Sequence, residues 1–189
     1  MTKGRVLILG ALSDIGIETA HKFASEGYSI QLAARHCERL QELSKDLKIR
    51  YGVKITLHEV DALLPKKNLI FLKKLLLPEI LICTIGSMGN QKKTELNNQE
   101  FIKVIRTNFE GPACLISEFA NRFIKRGYGT IVGVSSIAGS RGRASNYSYG
   151  SAKAGFTAFL SGLRNRLQKH NIHVITVLPG FVDTKMTEK

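Results

Sequence analysis

The first 27 residues carry the pattern that most restricts the fold: an apolar run, a glycine turn and an amphipathic helix. Residues 5–10 form a short continuous apolar run, which is typical of a strand buried on both faces of a parallel sheet. The run leads into a turn from Gly10 to Gly16, and apolar residues then recur at helical spacing as far as the stop signal Gly27. This order predicts a dinucleotide site, because the turn admits a pyrophosphate and the helix N-terminus offers N–H groups to it.

The same alternation of apolar runs and helical patterns continues along the chain. Five further strands are predicted, at residues 28–34, 53–60, 79–85, 130–134 and 172–178. A chain of 189 residues suffices for one domain with a sizeable core and is short for two. The sequence therefore predicts a single doubly wound α/β domain over residues 1–189, with a parallel sheet and an active site at the carboxyl ends of the strands.

The formal net charge of +13 is high, and a positive field favours nucleic acid, anionic lipid or phosphorylated ligands. The basic residues are nevertheless dispersed, with small clusters such as Lys66-Lys67 and Lys92-Lys93. A lysine-rich solvated surface is the favoured interpretation. Because no aromatic-rich platform or known reader motif accompanies the charge, we expect no nucleic-acid partner.

Cysteine usage and hydropathy bear on the compartment. Cys37, Cys83 and Cys114 are scattered without metal-ligand spacing, so no metal site is predicted, and an odd, sparse set suits a reducing cytoplasm. The most apolar region, residues 69–85, is interrupted by charged residues and a proline, and falls short of the roughly 18 apolar residues of a membrane helix. We therefore expect a cytoplasmic protein without a transmembrane segment.

Residues 135–153 carry the candidate chemistry. If the segment from about residue 146 is helical, Tyr149 and Lys153 share one face at i and i+4. A lysine ammonium beside a phenol favours the phenolate and lowers the phenol pKa, as proton transfer near neutral pH requires. Ser136, at the predicted strand end, could donate a hydrogen bond to a carbonyl oxygen held against the tyrosine. The alternative is an amphipathic helix with an incidental tyrosine and lysine.

Together these motifs resemble the short-chain dehydrogenase/reductase family, whose catalytic serine lies thirteen residues before the tyrosine of a Tyr-x-x-x-Lys motif. Ser136 and Tyr149 have that spacing. The resemblance implies a Rossmann fold in which Tyr149 is the general acid/base and Ser136 orients the substrate carbonyl. It also implies that Lys153 holds the nicotinamide ribose and lowers the tyrosine pKa. Asn108 matches the family asparagine that holds a water linking the lysine to solvent; an asparagine that merely terminates a helix is the alternative.

The resemblance also implies a set of cofactor contacts. The family glycine motif is Thr-Gly-x-x-x-Gly-x-Gly, whereas this chain has Leu9 for the threonine and Asp14 for the middle glycine. We expect the Asp14 side chain to cap the helix. By resemblance Asp61 contacts the adenine amino group, and the segment from Pro179 to Thr184 meets the nicotinamide carboxamide. The implied cofactor-binding set is Gly10, Ser13, Asp14, Ile15, Gly16, Arg35, Asp61, Ala62, Gly86, Tyr149, Lys153, Pro179, Gly180, Val182 and Thr184.

The end of the second predicted strand indicates which nucleotide is preferred. In dinucleotide folds an acid near this point binds the ribose hydroxyls, whereas an arginine accommodates a 2′-phosphate. Ala34 stands where the family's NAD enzymes carry aspartate, and Arg35 follows it. A guanidinium can clamp a phosphate with paired hydrogen bonds, so NADP(H) is favoured over NAD(H). A surface arginine that starts the next helix is the alternative.

Two departures from the family pattern remain. The family usually shows Asn-Asn-Ala-Gly after the fourth strand, whereas this chain has Cys83, Thr84, Ile85 and Gly86, so the strand end lacks its stabilising asparagine. The chain also nearly stops after the sixth strand, at Lys189. We therefore expect the family's C-terminal substrate region to be absent from it.

The leading functional prediction is an NADP(H)-dependent oxidoreductase that interconverts a carbonyl and an alcohol by hydride transfer. Its partner would be a small-molecule carbonyl or alcohol substrate, and a homo-oligomer through the two long helices is expected. The alternative is a nucleotide-binding regulatory or assembly protein without turnover, which the altered glycine and asparagine motifs permit.

Overall fold

The computed structural model describes residues 3–184, so residues 1–2 and 185–189 of the predicted domain lie outside the described residues. Within this range six parallel strands form one sheet in the order β3-β2-β1-β4-β5-β6. The strands are β1 (Arg5–Leu9), β2 (Ser29–Ala34), β3 (Ile55–Glu59), β4 (Ile80–Cys83), β5 (Gly129–Val134) and β6 (Ile172–Val177). The predicted doubly wound α/β architecture is confirmed.

Helices connect the strands and cover both faces of the sheet. They are α1 (Asp14–Ser25), α2 (Gln41–Tyr51), α3 (Pro65–Lys74), α4 (Gln91–Leu96), α5 (Asn98–Ile105), α6 (Gly111–Arg126) and α7 (Tyr147–Leu167). Short 3₁₀ segments occur at Cys37–Leu40, Ile137–Gly139 and Gln168–His170, and a π-helical segment, Arg106–Glu110, joins α5 to α6. Together α5, the π segment and α6 make one long helical run.

The strand β1 shows how the sheet divides the core into two layers. Alternate side chains of a strand point to opposite faces. Val6 and Ile8 therefore pack with the residues of α1 and α2, whereas Leu7 and Leu9 pack with those of α3, α6 and α7. All four are fully buried, which explains why this strand reads as a continuous apolar run rather than an alternating one.

The strand order reverses beside β1, and this reversal places the candidate site. The chain runs from β1 outward to β2 and β3, then returns to β4 on the other side of β1. Leu9, the last residue of β1, pairs with Ala33 of β2 and Cys83 of β4, so these three strands end level with one another. Ligands of doubly wound folds bind outside the carboxyl ends of the strands at this point.

Two predicted segments differ from the structure. Leucines at helical spacing in residues 36–47 predict a charged helix there. The helix begins later, because His36 has φ 58° and ψ 58°, in the left-handed region, and a 3₁₀ turn precedes α2. The polar residues 87–94 predict a loop, but this segment contains the start of α4. Its first turn is capped, because the Asn90 side chain accepts the Lys93 N–H at 3.1 Å. Both differences arise from local backbone conformation rather than from hydrophobic periodicity.

The π-helical segment has an identifiable local cause. The Gly111 N–H donates to the carbonyl of Arg106, five residues earlier, and Pro112 has no N–H to donate. The Asn108 carbonyl, four residues before Pro112, therefore lacks the donor that a regular helix supplies. Gly111 also packs closely on the loop after β3, because a Cβ there would lie 2.7 Å from the Ala62 oxygen.

A substitution at Phe119 tests the assignment of the core. It is fully buried in the layer formed by α3, α6 and α7, with its ring centroid 6.4 Å from those of Phe71 and Phe123. We expect Phe119→Ala to lower the free energy of unfolding by about 3–5 kcal/mol, through lost burial and the cavity left behind. Phe181→Ala, whose side chain is 88% exposed, should cost less than about 1 kcal/mol in the same urea titration. Equal losses for the two variants would contradict this core.

Candidate active site

The glycine turn between β1 and α1 is held by Ser13. Its backbone is extended, with φ −76° and ψ 150°, and its hydroxyl accepts the Gly16 N–H at 3.1 Å while donating to the Gly10 carbonyl at 2.8 Å. Ser13 is therefore the helix cap, and the expectation that Asp14 fills this role is wrong, because Asp14 is already the first helical residue. A carboxylate in the first turn is favourable toward the positive end of the helix dipole.

Thr84 replaces the family asparagine at the end of β4. Its hydroxyl oxygen lies 3.0 Å from the carbonyl oxygens of both Leu9 and Gly10, and 2.9 Å from the Ser13 hydroxyl. The strand end is therefore tied to the glycine turn in spite of the altered motif. Gly10 is required there, because its φ is +85° and a Cβ would lie 2.9 Å from the Ile85 nitrogen.

The expected adenine end of the site lies beside the carboxyl ends of β2 and β3. Arg35 follows β2 directly, is exposed and lines the cleft, together with Arg39 from the 3₁₀ turn. The Asp61 carboxylate accepts the Leu63 N–H at 2.9 Å, which fixes the turn after β3. Two guanidinium groups and one carboxylate therefore face this end of the cleft.

Ser136, Tyr149 and Lys153 meet at the other end of the cleft. Ser136 follows β5 in extended conformation, and its hydroxyl accepts the Ala138 N–H at 3.1 Å. Tyr149 and Lys153 lie one turn apart on α7 and are 7% and 3% exposed. The Lys153 ammonium donates to the Val134 carbonyl at 2.9 Å and lies 5.8 Å from the centroid of the Tyr149 ring.

The pKa values of this pair correct one sequence-based expectation. Burial raises the pKa of the Tyr149 phenol, and a hydrogen bond with Ser136 acts in the opposite direction. Burial also lowers the pKa of Lys153 to about 8, although Cys83 beneath it acts to raise it. The direction is opposite to the predicted lowering of the phenol pKa, because desolvation outweighs the effect of Ser136.

Asn108 lies behind the cleft rather than on its wall. It is fully buried, and its side-chain amide donates to the carbonyls of Ser87 and Val104 at 2.7 and 2.8 Å. Its side-chain oxygen accepts the Ser87 N–H at 3.0 Å. The side chain therefore fixes the loop that follows Gly86.

One cleft of about 880 Å³ joins the two ends. Gly16 and Asn108 are the two predicted residues that do not line it. Gly16 instead allows the close turn, because a Cβ there would lie 2.8 Å from the Gly10 oxygen. The predicted residues on the cleft wall are Gly10, Ser13, Asp14, Ile15, Arg35, Asp61, Ala62, Gly86, Ser136, Tyr149, Lys153, Pro179, Gly180, Val182 and Thr184.

Sequence reasoning missed the support that α4 provides to the catalytic helix. The Gln91 side-chain oxygen accepts the Ser148 N–H at 3.1 Å, and the Thr94 and Ser148 hydroxyls lie 2.9 Å apart. Ser148 is buried and directly precedes Tyr149. These bonds fix the first turn of α7. These hydrogen bonds could not be predicted from the sequence, because residues 87–94 are interpreted as a loop and the partners are 57 and 54 residues apart in the chain.

The cleft suits a nicotinamide dinucleotide. Its volume lies within the roughly 300–1,000 Å³ range of ligand pockets, and the N-terminus of α1 opens onto it. Side chains are excluded at two points on its wall, since a Cβ on Gly10 would lie 2.9 Å from the Thr84 hydroxyl oxygen, and one on Gly86 would lie 3.1 Å from the Asn108 side-chain oxygen. Backbone can therefore approach a pyrophosphate closely at these positions. Besides the bond to the Val134 carbonyl, the Lys153 ammonium has two further N–H donors.

Two further features of residues 3–184 bear on the earlier expectations. No helix in this range combines the length and apolar character needed to cross a membrane. Cys37, Glu38 and Glu59 bring ligand atoms within 4.8 Å of one another. Both carboxylates are exposed, and Glu59 already accepts the Cys37 N–H at 3.0 Å, so we assign no metal to this group.

The lowered pKa of Lys153 predicts a pH-dependent stability. The folded protein releases this proton near pH 8, whereas the unfolded chain keeps it up to the ordinary value of 10.5, so the unfolded state binds more protons between these values. Stability contributed by this site must therefore rise as pH increases across that window. Relative to Lys153→Met, the wild type should gain roughly 3 kcal/mol in free energy of unfolding from the lower to the upper end of the window. Urea titrations at several pH values measure the gain.

The matched control for that titration is Lys48→Met, because Lys48 is an exposed lysine of α2. Its free-energy difference from the wild type should stay constant over the same pH range. A constant difference for Lys153→Met as well would show that burial does not perturb the Lys153 ammonium.

Comparison with known proteins agrees with this geometry. The short chain dehydrogenase family matches residues 4–189. A protein of Mycobacterium tuberculosis, known as an uncharacterized oxidoreductase, is 30% identical over 187 residues, which cover 97% of this chain and 75% of the relative. The 3-oxoacyl-(acyl-carrier-protein) reductase of Rickettsia conorii is 31% identical over 186 residues, which cover 97% of this chain and 74% of that enzyme.

The fold comparison leads to the same assignment. The solved structure of a short-chain dehydrogenase from Sphingobium yanoikuyae in complex with NADPH has a TM-score of 0.88 and 29% identity. The match covers 96% of this chain and 72% of that one. With its parallel sheet, its glycine turn and its Ser136, Tyr149 and Lys153 on one cleft, the chain belongs to the short-chain dehydrogenase family of oxidoreductases.

Proposed function

We propose that the protein is an NADP(H)-dependent oxidoreductase that interconverts a carbonyl and an alcohol, with Tyr149 as general acid/base. The observation that carries the proposal is the convergence of Ser136, Tyr149 and Lys153 on the cleft that also contains the glycine turn and Arg35. A bound nicotinamide supplies or accepts the hydride. The protein side chains then have to orient the substrate oxygen and move its proton.

Tyr149 suits the acid role in carbonyl reduction. Because burial raises its pKa, the phenol is protonated at neutral pH and can donate to the carbonyl oxygen as the carbon accepts hydride. Ser136, which acts on the pKa of the phenol, can donate to the same oxygen and fix its position. The Lys153 ammonium on the same helical face stabilises the phenolate left after proton transfer. In alcohol oxidation the proton moves in the opposite direction, from the alcohol oxygen to Tyr149.

The Asn108 carbonyl is proposed to hold a water that links Lys153 to solvent. Pro112 removes its helical donor, which leaves the carbonyl with capacity to accept from a water. Lys153 lies near the side chain of the same residue, since a Cβ on Gly86 would be 3.1 Å from the Asn108 side-chain oxygen and 3.5 Å from the Lys153 ammonium. Homo-oligomerisation through α6 and α7 and a cytoplasmic location stay predictions.

The preference for NADP(H) rests on the end of β2. Ala34 places no carboxylate where a ribose 2′-hydroxyl would be bound, and Arg35 and Arg39 both line the cleft beside it. Guanidinium groups pair with phosphate oxygens through two parallel N–H donors. The related Sphingobium enzyme was solved with NADPH, which supports the same choice.

The Tyr149→Phe variant tests the catalytic proposal. It keeps the ring but removes the transferable proton, so we expect turnover of any reduced carbonyl to fall by at least about 100-fold. The dissociation constant for NADPH should change less than about threefold, because the phenol oxygen acts on the substrate. Initial rates of NADPH oxidation and fluorescence titration measure the two quantities.

Tyr147→Phe is the matched control, because Tyr147 lies on the same helix but is exposed and outside the cleft wall. Its turnover should equal that of the wild type. Nucleotide binding without turnover by the wild type would instead favour the non-catalytic alternative. Full turnover by Tyr149→Phe would refute the role of Tyr149 as general acid/base.

Nucleotide titrations test the cofactor preference. We expect NADPH to bind at least tenfold more tightly than NADH, a difference of about 1.4 kcal/mol. Arg35→Asp should abolish or reverse this ratio, because a carboxylate repels the 2′-phosphate. Lys48→Asp makes the same change of charge on the exposed side of α2 and should leave the ratio unchanged. Equal affinities of the wild type for the two nucleotides would refute the assignment.

A further inference from the structure

Arg143 and Asn146 stand out on the catalytic end of the cleft. Both line it, and each has a buried side-chain atom, Nε of Arg143 and Oδ1 of Asn146, without a hydrogen-bond partner in residues 3–184. Their backbone is ordered, since the Asn146 N–H donates to the Arg143 carbonyl at 3.1 Å and the Gly150 N–H donates to the Asn146 carbonyl at 2.9 Å. Buried polar atoms are almost always satisfied, so unsatisfied ones in a ligand cleft point to the ligand.

The Asn146 side chain does not cap α7, because another residue supplies the acceptor for the first turn of that helix. Asn146 occupies the N-cap position of α7, where asparagine normally accepts an N–H of the first turn. Here it makes no such bond, and the Ser148 N–H is satisfied by Gln91 from α4 instead. The Asn146 amide is thereby left facing the cleft one turn before Tyr149.

The charge at this end of the cleft is one-sided. Arg143 and Lys153 are the cations on its wall, and the carboxylates that line the described cleft, Asp14 and Asp61, belong to the glycine turn and the adenine end. None of the ion pairs among residues 3–184 includes Arg143. A guanidinium carries a permanent charge, so Arg143 brings an uncompensated positive charge to this end of the cleft.

We propose that the substrate carries an oxyanion, a carboxylate or a phosphate, that pairs with Arg143 while Asn146 hydrogen-bonds a neighbouring polar group of the substrate. This inference rests on the proposed oxidoreductase function and adds its substrate class: anionic ketones and the corresponding alcohols. The fork of N–H donors on a guanidinium matches both carboxylate and phosphate oxygens. Pairing there would satisfy the buried Nε and neutralise the charge.

The first test compares matched substrates. Rates of NADPH oxidation are measured with 4-oxopentanoate and 5-oxohexanoate against their methyl esters, and with dihydroxyacetone phosphate against dihydroxyacetone. The kcat/KM of the wild type should favour at least one anionic member over its neutral partner by at least about tenfold. Arg143→Met should bring that ratio close to one, and Arg143→Lys should restore part of it. The carboxylate and phosphate pairs show which oxyanion is bound.

Arg141→Met is the control in the same loop, because Arg141 is exposed and lies outside the cleft wall. It should keep the wild-type ratio. Turnover of neutral and anionic ketones with equal kcat/KM would overturn the inference and leave the oxidoreductase function intact.

A second measurement does not depend on turnover. Calorimetry gives the affinity of the protein, saturated with NADP⁺, for 4-hydroxypentanoate, for its methyl ester and for glycerol phosphate. An anion preference of the wild type that Arg143→Met removes supports the inference even if no carbonyl is reduced, in which case the proposed function alone fails. Absence of an anion preference, or an Arg143→Met variant that weakens NADPH binding instead, refutes the inference, because Arg143 would then serve the nucleotide or no ligand.

Discussion

The Thr84 hydroxyl makes the contact on which the whole cleft depends. It lies within 3.0 Å of the carbonyl oxygens of Leu9 and Gly10 and of the Ser13 hydroxyl. These bonds join the end of β4 to the end of β1, where the strand order reverses. Because the carboxyl ends of parallel strands share one edge, this tie brings the glycine turn and Gly86 to the same ligand space. A single hydroxyl thus performs the task that the family usually assigns to an asparagine.

Burial governs the chemistry at the other end of the cleft. Desolvation raises the pKa of Tyr149 and lowers that of Lys153 to about 8, so both groups are biased toward their neutral forms. A neutral phenol is a proton donor, which fits carbonyl reduction. A ligand that brings hydroxyl groups or negative charge near Lys153 would favour its ammonium, so substrate and nucleotide binding can complete the catalytic arrangement. Arg143 keeps its charge regardless of burial, which is why it is suited to binding rather than to proton transfer.

The sequence alone determined the fold class, the number of strands and their alternation with helices, and most of the candidate site. Periodicity identifies a strand buried on both faces because every side chain of β1 is apolar after Arg5, and it identifies helices because their buried faces recur every three or four residues. The spacing of Ser136, Tyr149 and Lys153 also belongs to the sequence, since Tyr149 and Lys153 share one helix and Ser136 ends the preceding strand. Fifteen of the seventeen residues predicted for the site line the cleft, and the other two, Gly16 and Asn108, lie directly behind it.

Only the tertiary structure decided the features that depend on burial or on contacts between distant segments. The direction of the Tyr149 pKa shift follows from desolvation, which no spacing rule contains. Thr84 and Ser13 are 71 residues apart, and Gln91 and Ser148 are 57 apart, so their hydrogen bonds leave no local pattern. In the sequence nothing distinguishes Arg143 from the other cations among 28 lysines and arginines. Only the fold places it on the cleft wall. Local periodicity reports which face of an element is apolar, whereas the partners of a polar group are known only once the elements have packed.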